Sequence, residues 1–214
     1  MNIFLKTEDE IELMREANLL VGKTLAEVGR HVKPGVSTLQ LDKIAEEFIC
    51  DNGAIPTFKG FPSSYGTPFP GSICASVNDV VVHGVPSEDV VLKDGDIISI
   101  DCGALLNGFN GDSCYTFCVG EVSEDIMNLL RATKESLYKG IEVAEAGHHV
   151  GDIGHVIQDY CQAQGYGIVR ELTGHGIGRE MHEDPSIPNY GNRGDWCFAQ
   201  SRNVYCDRTD GYNG

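Results

Sequence analysis

Two aspartates, Asp101 and Asp112, lie in a stretch whose pattern could bring their carboxylates together. The stretch runs from Ile97 to Cys118, I-I-S-I-D-C-G-A-L-L-N-G-F-N-G-D-S-C-Y-T-F-C. Two runs with β character flank a loop holding Asn-Gly pairs, a strong short-range hairpin signal. With Asn107-Gly108 at the turn, Asp112 falls opposite Gly103, two places along the strand from Asp101. Side chains two apart on a strand point to the same face. The two carboxylates would be diagonal neighbours within reach of a common cation. Carboxylates converging on an apolar sheet repel unless one is protonated or a metal lies between them. Two turn-proximal aspartates in solvent would fit the same pattern.

A second chemical stretch is Glu171 to Tyr190, E-L-T-G-H-G-I-G-R-E-M-H-E-D-P-S-I-P-N-Y. His175 lies in a glycine frame, G-H-G-I-G, with His182 seven residues on. Glycines on both sides let the backbone approach something closely, so this imidazole could reach a ligand. His31, His148, His149 and His155 lack such a frame and read as structural or solvated.

The elements that must carry these residues follow from periodicity. Thr7 precedes an acidic first turn, which suits a helix N-cap and the macrodipole. Ile11, Met14, Leu19, Val21, Leu25 and Val28 give an approximate apolar stripe up to Lys33-Pro34-Gly35. Ser37 with Gln40 reads as a capping box. Leu41, Ile44, Ala45 and Phe48 form the face of a second helix that ends at Asn52-Gly53. Residues 54–72 are rich in Gly, Pro and aromatics, a loop that could line an apolar pocket or pack over the core. Ile73 to Val85 has strand character, and Ser123 caps a long helix with Ile126, Leu129, Leu130, Thr133, Leu137 and Ile141 on one face. A shift of 112 residues, Gly35 to Gly147, sets Leu41 on Ile153, Ala45 on Ile157, Phe48 on Tyr160 and Gly53 on Gly165. The repeat predicts two αβ halves related by pseudo-two-fold symmetry.

Composition narrows the classes. The 214 residues, 41% hydrophobic, suffice for one large domain with a core. A formal net charge of −16 argues against a nucleic-acid backbone or an anionic membrane as the main partner. Eight cysteines without zinc-knuckle spacing suit buried hydrophobes in a reducing compartment. The N-terminus is charged within six residues, and no apolar run approaches membrane-spanning length. The chain reads as cytoplasmic.

Together these residues resemble the type I methionine aminopeptidases. The matching stretches are V-V-V-H-G-V-P (Val80–Pro86), D-G-D-I-I-S-I-D-C-G-A (Asp94–Ala104), G-F-N-G-D-S (Gly108–Ser113), G-H-G-I-G (Gly174–Gly178) and M-H-E-D-P-S-I-P-N-Y-G (Met181–Gly191). They stand in family order at family spacing between Thr7 and Gly194. The resemblance implies an α+β pita-bread fold, two αβ halves around a dinuclear metal site. It implies that Asp101, Asp112 and His175 are metal ligands, with Asp112 bridging both ions. It implies that His83 and His182 are catalytic histidines near the scissile bond, and that Cys74, Phe61 and nearby aromatics line a pocket for the methionine side chain. The ions would be two divalent metals, cobalt, manganese, iron or zinc, able to activate a bridging water and polarise the scissile carbonyl. The implied activity is removal of the initiator methionine from nascent chains at the ribosome, by a monomer. The loop at Ser63–Pro70 is longer than the usual form. A proline-specific pita-bread peptidase fits less well, because it would usually carry an extra N-terminal domain.

After Gly194 the resemblance stops abruptly. The family continues to a strand with I-E-P-M, whose glutamate binds metal, and then to a second, bridging glutamate. This chain reads D-W-C-F-A-Q-S-R-N-V-Y-C-D-R-T-D-G-Y-N-G, with the only tryptophan, Trp196, and no glutamate. Read one nucleotide later, the codon overlaps from Arg202 onward admit G-M-x-T-A-I-E-P-M-V-T-M. The expectation is a pita-bread domain over 1–194, its second half incomplete, and an aberrant, disordered or out-of-frame tail over 195–214. For the chain as written this predicts poor stability, weak metal binding and little or no peptidase activity. The alternatives to an active enzyme are a catalytically dead truncated form and a non-enzymatic pita-bread binding protein.

Overall fold

The computed structural model describes residues 2–62, 66–201, 205–206 and 211–212. The chain divides into two compact units, Glu12–Ser123 and Met1–Ile11 with Glu124–Gly214.

The first unit is built from α1 (Glu8–Gly29, which enters it at Glu12), α2 (Thr38–Asp51), β1 (Ile55–Pro56), β2 (Ile73–Val77), β3 (Ile97–Leu106) and β4 (Phe109–Cys118). Helix α2 starts where the capping box was expected. Ser37 Oγ accepts the Gln40 N–H, and the Gln40 carboxamide accepts the Ser37 N–H. Strand β3 has β4 on one side and both β1 and β2 on the other, all antiparallel. The β3–β4 hairpin has the register the sequence predicts, with Asp112 opposite Gly103. Its turn is Asn107-Gly108 with φ of +53° and +81°, the left-handed pair that a two-residue hairpin turn requires. Leu20, Val21, Leu25 and Val28 of α1 pack with Leu41, Ala45 and Ile49 of α2 and with Ile73, Ile98 and Ile100 of the sheet. Leu19, placed in the apolar stripe by sequence, is exposed, and Leu20 is the buried residue. Met14, Val21, Leu25 and Val28 of the expected stripe are buried, and Ala17, Leu20 and Thr24 complete the buried face.

Strand β2 is shorter than the Ile73–Val85 run suggested. Asn78 turns the chain at φ +50°, its carboxamide bonded to the Ile97 N–H and to Asp96. The chain then folds back, and the Gly84 carbonyl accepts the Ala75 N–H.

The second unit contains α3 (Glu124–Val143), α4 (Val150–Ala163), β5 (Gly167–Ile168), β6 (Thr173–Gly176), β7 (Glu183–Pro188), β8 (Tyr205–Cys206) and β9 (Gly211–Tyr212). Its core is Val150, Ile153, Ile157, Cys161 and Ile187. The residues α3 buries are Ala132, Ser136 and Gly140, a seam of small residues four apart, while Ile141 of the expected apolar face is exposed. Small side chains allow a close helix–helix approach, and α3 packs along α4.

The 112-residue repeat is visible in the backbone. α2 and α4 have equal lengths at that offset, as do β1 and β5. Gly35 and Gly147 share a positive φ, as do Gly53 and Gly165. The correspondence reaches the hydrogen bonds. The Gly35 N–H donates to the Leu92 carbonyl, Leu92 N–H to Val36, and Thr38 N–H to Val90. In the second unit Gly147 N–H donates to the Ala199 carbonyl, Ala199 N–H to His148, and Val150 N–H to Cys197. Residues Cys197–Ala199 thus do for α4 what Val90–Leu92 do for α2. Strand β8 extends this order, pairing antiparallel with β6.

Candidate active site

In the first unit the sheet brings three of the predicted site residues onto one face. Asp101 is buried at the centre of β3, with Cys74 of β2 and Cys114 of β4 as its cross-strand partners. Asp112 is its diagonal neighbour across Gly103, which has no side chain to separate the two carboxylates. Cys114 shares this face through its position opposite Asp101, which follows from the same hairpin register that places Asp112 opposite Gly103.

Helix α1 holds the Asp112 backbone. The Asp112 N–H donates to Asn18 Oδ1 at 3.3 Å, and Asn18 Nδ2 donates to the Met14 carbonyl at 2.9 Å. Gly111 is what allows the approach: a Cβ there would lie 2.7 Å from the Ala17 carbonyl carbon. The electrostatic signature of the hairpin is in Cys102. Burial, followed by the neighbouring charges of Asp101 and Asp112, pushes its thiol far above the ordinary range.

His83 is exposed and sits at φ +58°, a left-handed conformation that costs a non-glycine residue roughly 1 kcal/mol. Its neighbour Gly84 is pinned to β2, donating to Ser76 Oγ at 3.1 Å. A Cβ at Gly84 would lie 2.3 Å from the Ala75 carbonyl oxygen, so glycine is required beside the histidine. Phe61 is partly exposed on a loop closed by bonds from the Phe69 N–H to its carbonyl and from the Gly60 N–H to Phe69. Residues 63–65 of the long 63–70 loop lie outside the described residues.

In the second unit His175 on β6 and His182 just before β7 come together, ring centroids 4.4 Å apart and 64° between planes. His175 is half-buried and its Nδ1 is 2.9 Å from the Gly176 carbonyl, while His182 is exposed. The β6–β7 register shifts between His175 and Gly176. The glycine frame has a different use from the one its sequence suggested. A Cβ on Gly176 would lie 2.4 Å from the Asp184 carbonyl oxygen, and one on Gly178 would strike Glu183 and Lys6. The close approach is to the protein's own hairpin.

The donors are the hard carboxylates and imidazole that a first-row divalent ion takes. Among the described residues, however, no group of three or more His, Cys, Asp or Glu side chains is placed to hold a metal ion. The aspartate pair and the histidine pair do not by themselves make up a dinuclear set. Nor is any described helix long and apolar enough to cross a membrane.

The sequence profile of Metallopeptidase family M24 matches residues 12–204, so the resemblance continues ten residues past Gly194, where the motifs led one to expect it to stop. The chain is 52% identical over 192 residues to a methionine aminopeptidase of Clostridium acetobutylicum, covering 90% of this chain and 75% of that one. It is 52% identical over 189 residues to methionine aminopeptidase 1 of Bacillus subtilis, covering 88% of this chain and 74% of that one. The crystal structure of methionine aminopeptidase from Rickettsia prowazekii superposes with a TM-score of 0.91 at 40% identity, over 95% of this chain and 80% of that one. The prolidase of Pyrococcus furiosus, at 23% identity and a TM-score of 0.80 over 97% of this chain and 60% of that one, shares the fold. The chain belongs to metallopeptidase family M24, among the type I methionine aminopeptidases, and has their α+β pita-bread fold.

Proposed function

We propose that this 214-residue polypeptide is a methionine aminopeptidase-type protein that carries part of the site and is catalytically silent or nearly so. The observation behind this reading is the stretch 195–214, which holds no glutamate where the family resemblance expects the I-E-P-M metal ligand. The absence of a three-donor group among the described residues supports it. In this reading Asp101, Asp112 and His175 are the remaining metal ligands. His83 and His182 are the substrate-side histidines, and Cys74 and Phe61 line the methionine pocket. The full-length activity would be release of the initiator methionine from nascent chains, by a cytoplasmic monomer using two divalent ions. The residues present do not close such a site, so no catalytic step is assigned to them.

The out-of-frame origin of the tail has support beyond the code. Strand β8 pairs with β6, Cys206 opposite His175. In the shifted frame the codons that overlap Tyr205-Cys206 and Cys206-Asp207 admit threonine and alanine, and I-E-P-M follows. A strand continuing in the β8 register would place that glutamate two residues on, diagonal to His175 on the same face. This is the relation that joins Asp112 to Asp101.

The experiment compares the 214-residue chain with a version whose gene is returned to the shifted frame after codon 194. Calorimetric titration with Mn²⁺ or Co²⁺ and turnover of a Met-Gly peptide are measured on both. The chain as written should bind metal weakly and hydrolyse little, and the restored frame should gain both. Turnover by the unaltered chain at the rate of its relatives would overturn the proposal. A gene sequence that forbids ATH-GAR-CCN-ATG in the shifted frame would remove the frame argument.

A further inference from the structure

The histidine-bearing hairpin of the second unit is gripped by a segment far away in sequence. Residues Asn2 to Glu10 make three polar ties to residues 179–184. The Asn2 N–H donates to Asp184 Oδ2 at 2.7 Å. Lys6 Nζ pairs with Glu183 Oε2. Arg179 donates to Glu10 Oε1 at 3.1 Å. The ties flank His182, which lies between Arg179 and Glu183.

The central tie differs from the others in burial. The side chains of Lys6 and Glu183 are only 6% and 8% exposed, and surface ion pairs are seldom so enclosed. A buried pair contributes little net stability compared with well-packed apolar residues, because both charges must leave water. Its retention asks for a geometric role. Glu183 supplies one. It directly follows His182, and its Cα partner across the hairpin is Gly176, the residue after His175. While Oε2 takes Lys6, Oε1 accepts the Glu180 N–H at 3.3 Å, bracing the connection between the two histidines. Both side chains press on Gly178, where a Cβ would lie 2.4 Å from Glu183 Oε1 and 2.6 Å from Lys6 Nζ. Glu10 belongs to the same device. Its carboxylate caps α1 through the Thr7 N–H at 2.9 Å and also holds Arg179. The start of α1 is thereby fixed to the loop it clamps.

We infer that the Asn2–Glu10 arm is a positioning clamp, and that the buried Lys6–Glu183 pair sets the placement of the His175 and His182 imidazoles. Lys6 and Glu183 touch no reacting atom and act through the hairpin. The inference rests on the proposed assignment of those two histidines to the site.

The test uses the full 214-residue chain, metal-free, with ¹³C-labelled histidine. Imidazole Cε1–Hε1 signals are assigned with His175→Gln and His182→Gln. In Lys6→Met the His175 and His182 signals should move or broaden while those of His31 and His155 stay in place, and Lys6→Arg should return them. A merely structural tether would lower the melting temperature and leave the two imidazole signals where they are, which would overturn the inference. Should Lys6→Met not fold, the double variant Lys6→Met/Glu183→Leu removes both charges and keeps the packing. Displaced signals in the folded double variant support the clamp, and unmoved signals overturn it. Titration with L-methionine separates the two proposals. If it leaves His182 undisturbed in the unaltered chain, the site assignment fails, and the clamp is still judged by the Lys6 variants.

Discussion

Asp42 offers the most direct test of how the first unit builds its acidic face. This carboxylate, on the buried side of α2, accepts the Ser72 N–H at 2.7 Å and the Ile73 N–H at 3.0 Å. It thereby sets the first residue of β2, the strand that brings Cys74 opposite Asp101. Replacement by alanine leaves two buried backbone donors unsatisfied, at about 1–3 kcal/mol each. The expected loss for Asp42→Ala is therefore about 2–6 kcal/mol, a large share of the roughly 5–15 kcal/mol that holds a domain folded. Asp42→Asn keeps an acceptor and should lose about 1–2 kcal/mol. Urea unfolding gives the change from the midpoint at constant m-value, and hydrogen exchange should show Ser72 and Ile73 losing protection first. There is also a pH signature. Burial raises the Asp42 pKa above 3.8, and the two N–H bonds only partly offset this. The folded state then binds the proton more tightly than the unfolded chain. The contribution of Asp42 to stability should fall as pH rises from 3.8 through its folded value, and then level off. That slope should vanish in Asp42→Asn. A midpoint change under about 0.5 kcal/mol for Asp42→Ala, with Ile73 still protected, would refute the assignment of Asp42 as the anchor of β2.

Three further outcomes are expected. Cys102, buried and flanked by carboxylates, should resist iodoacetamide in the folded protein while exposed Cys50 reacts; peptide mapping that finds Cys102 alkylated at a comparable rate would contradict the geometry. Asp152 is held below its ordinary value of 3.8 by the His149 N–H and then the Gly194 N–H, so what it adds to stability is present above pH 3.8 and lost on acidification below it. Emission of Trp196, the only tryptophan, should report that loss as a red shift in acid that Asp152→Asn already shows at neutral pH, and an unchanged signal in the variant would break the link. Ala199→Leu should raise the unfolding free energy in urea by about 1–2 kcal/mol, because Ala199 takes the place that the buried Leu92 holds in the first unit; a lowered value would mean the second unit has closed around alanine.

What could be read from sequence was whatever is local. The Asn107-Gly108 turn fixes the hairpin register from two residues, so the Asp101–Asp112 diagonal followed from spacing alone. The Ser37–Gln40 box spans three residues and was equally legible. Lys6 and Glu183 are 177 residues apart and lie in no periodic pattern, so nothing local announced their pairing. The α3 seam was missed for a different reason. A search for large apolar residues passes over Ala132, Ser136 and Gly140, whose small size is what lets another helix approach. The valines around His83 suggest a strand, whereas Asn78 turns the chain before it and Val80, Val81 and Val85 are exposed.

Residues 195–199 are the instructive case, because their placement does not depend on a side-chain pattern. Residues 195–199 meet α4 through main-chain bonds: Gly151 N–H to Asp195, Val150 N–H to Cys197, and Ala199 with Gly147 and His148. Any non-proline backbone could make them. A sequence without alternation or periodicity can therefore take the position that Val90–Leu92 occupy in the first unit. The mismatch shows where side chains matter. Leu92 is 1% exposed and belongs to the core of the first unit, whereas its counterpart Ala199 is 4% exposed and has a far smaller side chain. The codons of Ala199-Gln200, GCN-CAR, read one nucleotide later as CNC and admit leucine. Pseudo-symmetry thus points to a residue that is one of the four the shifted codon permits. Residues 195–199 follow the backbone path of Val90–Leu92 with smaller side chains, which is what the proposed change of reading frame would leave there.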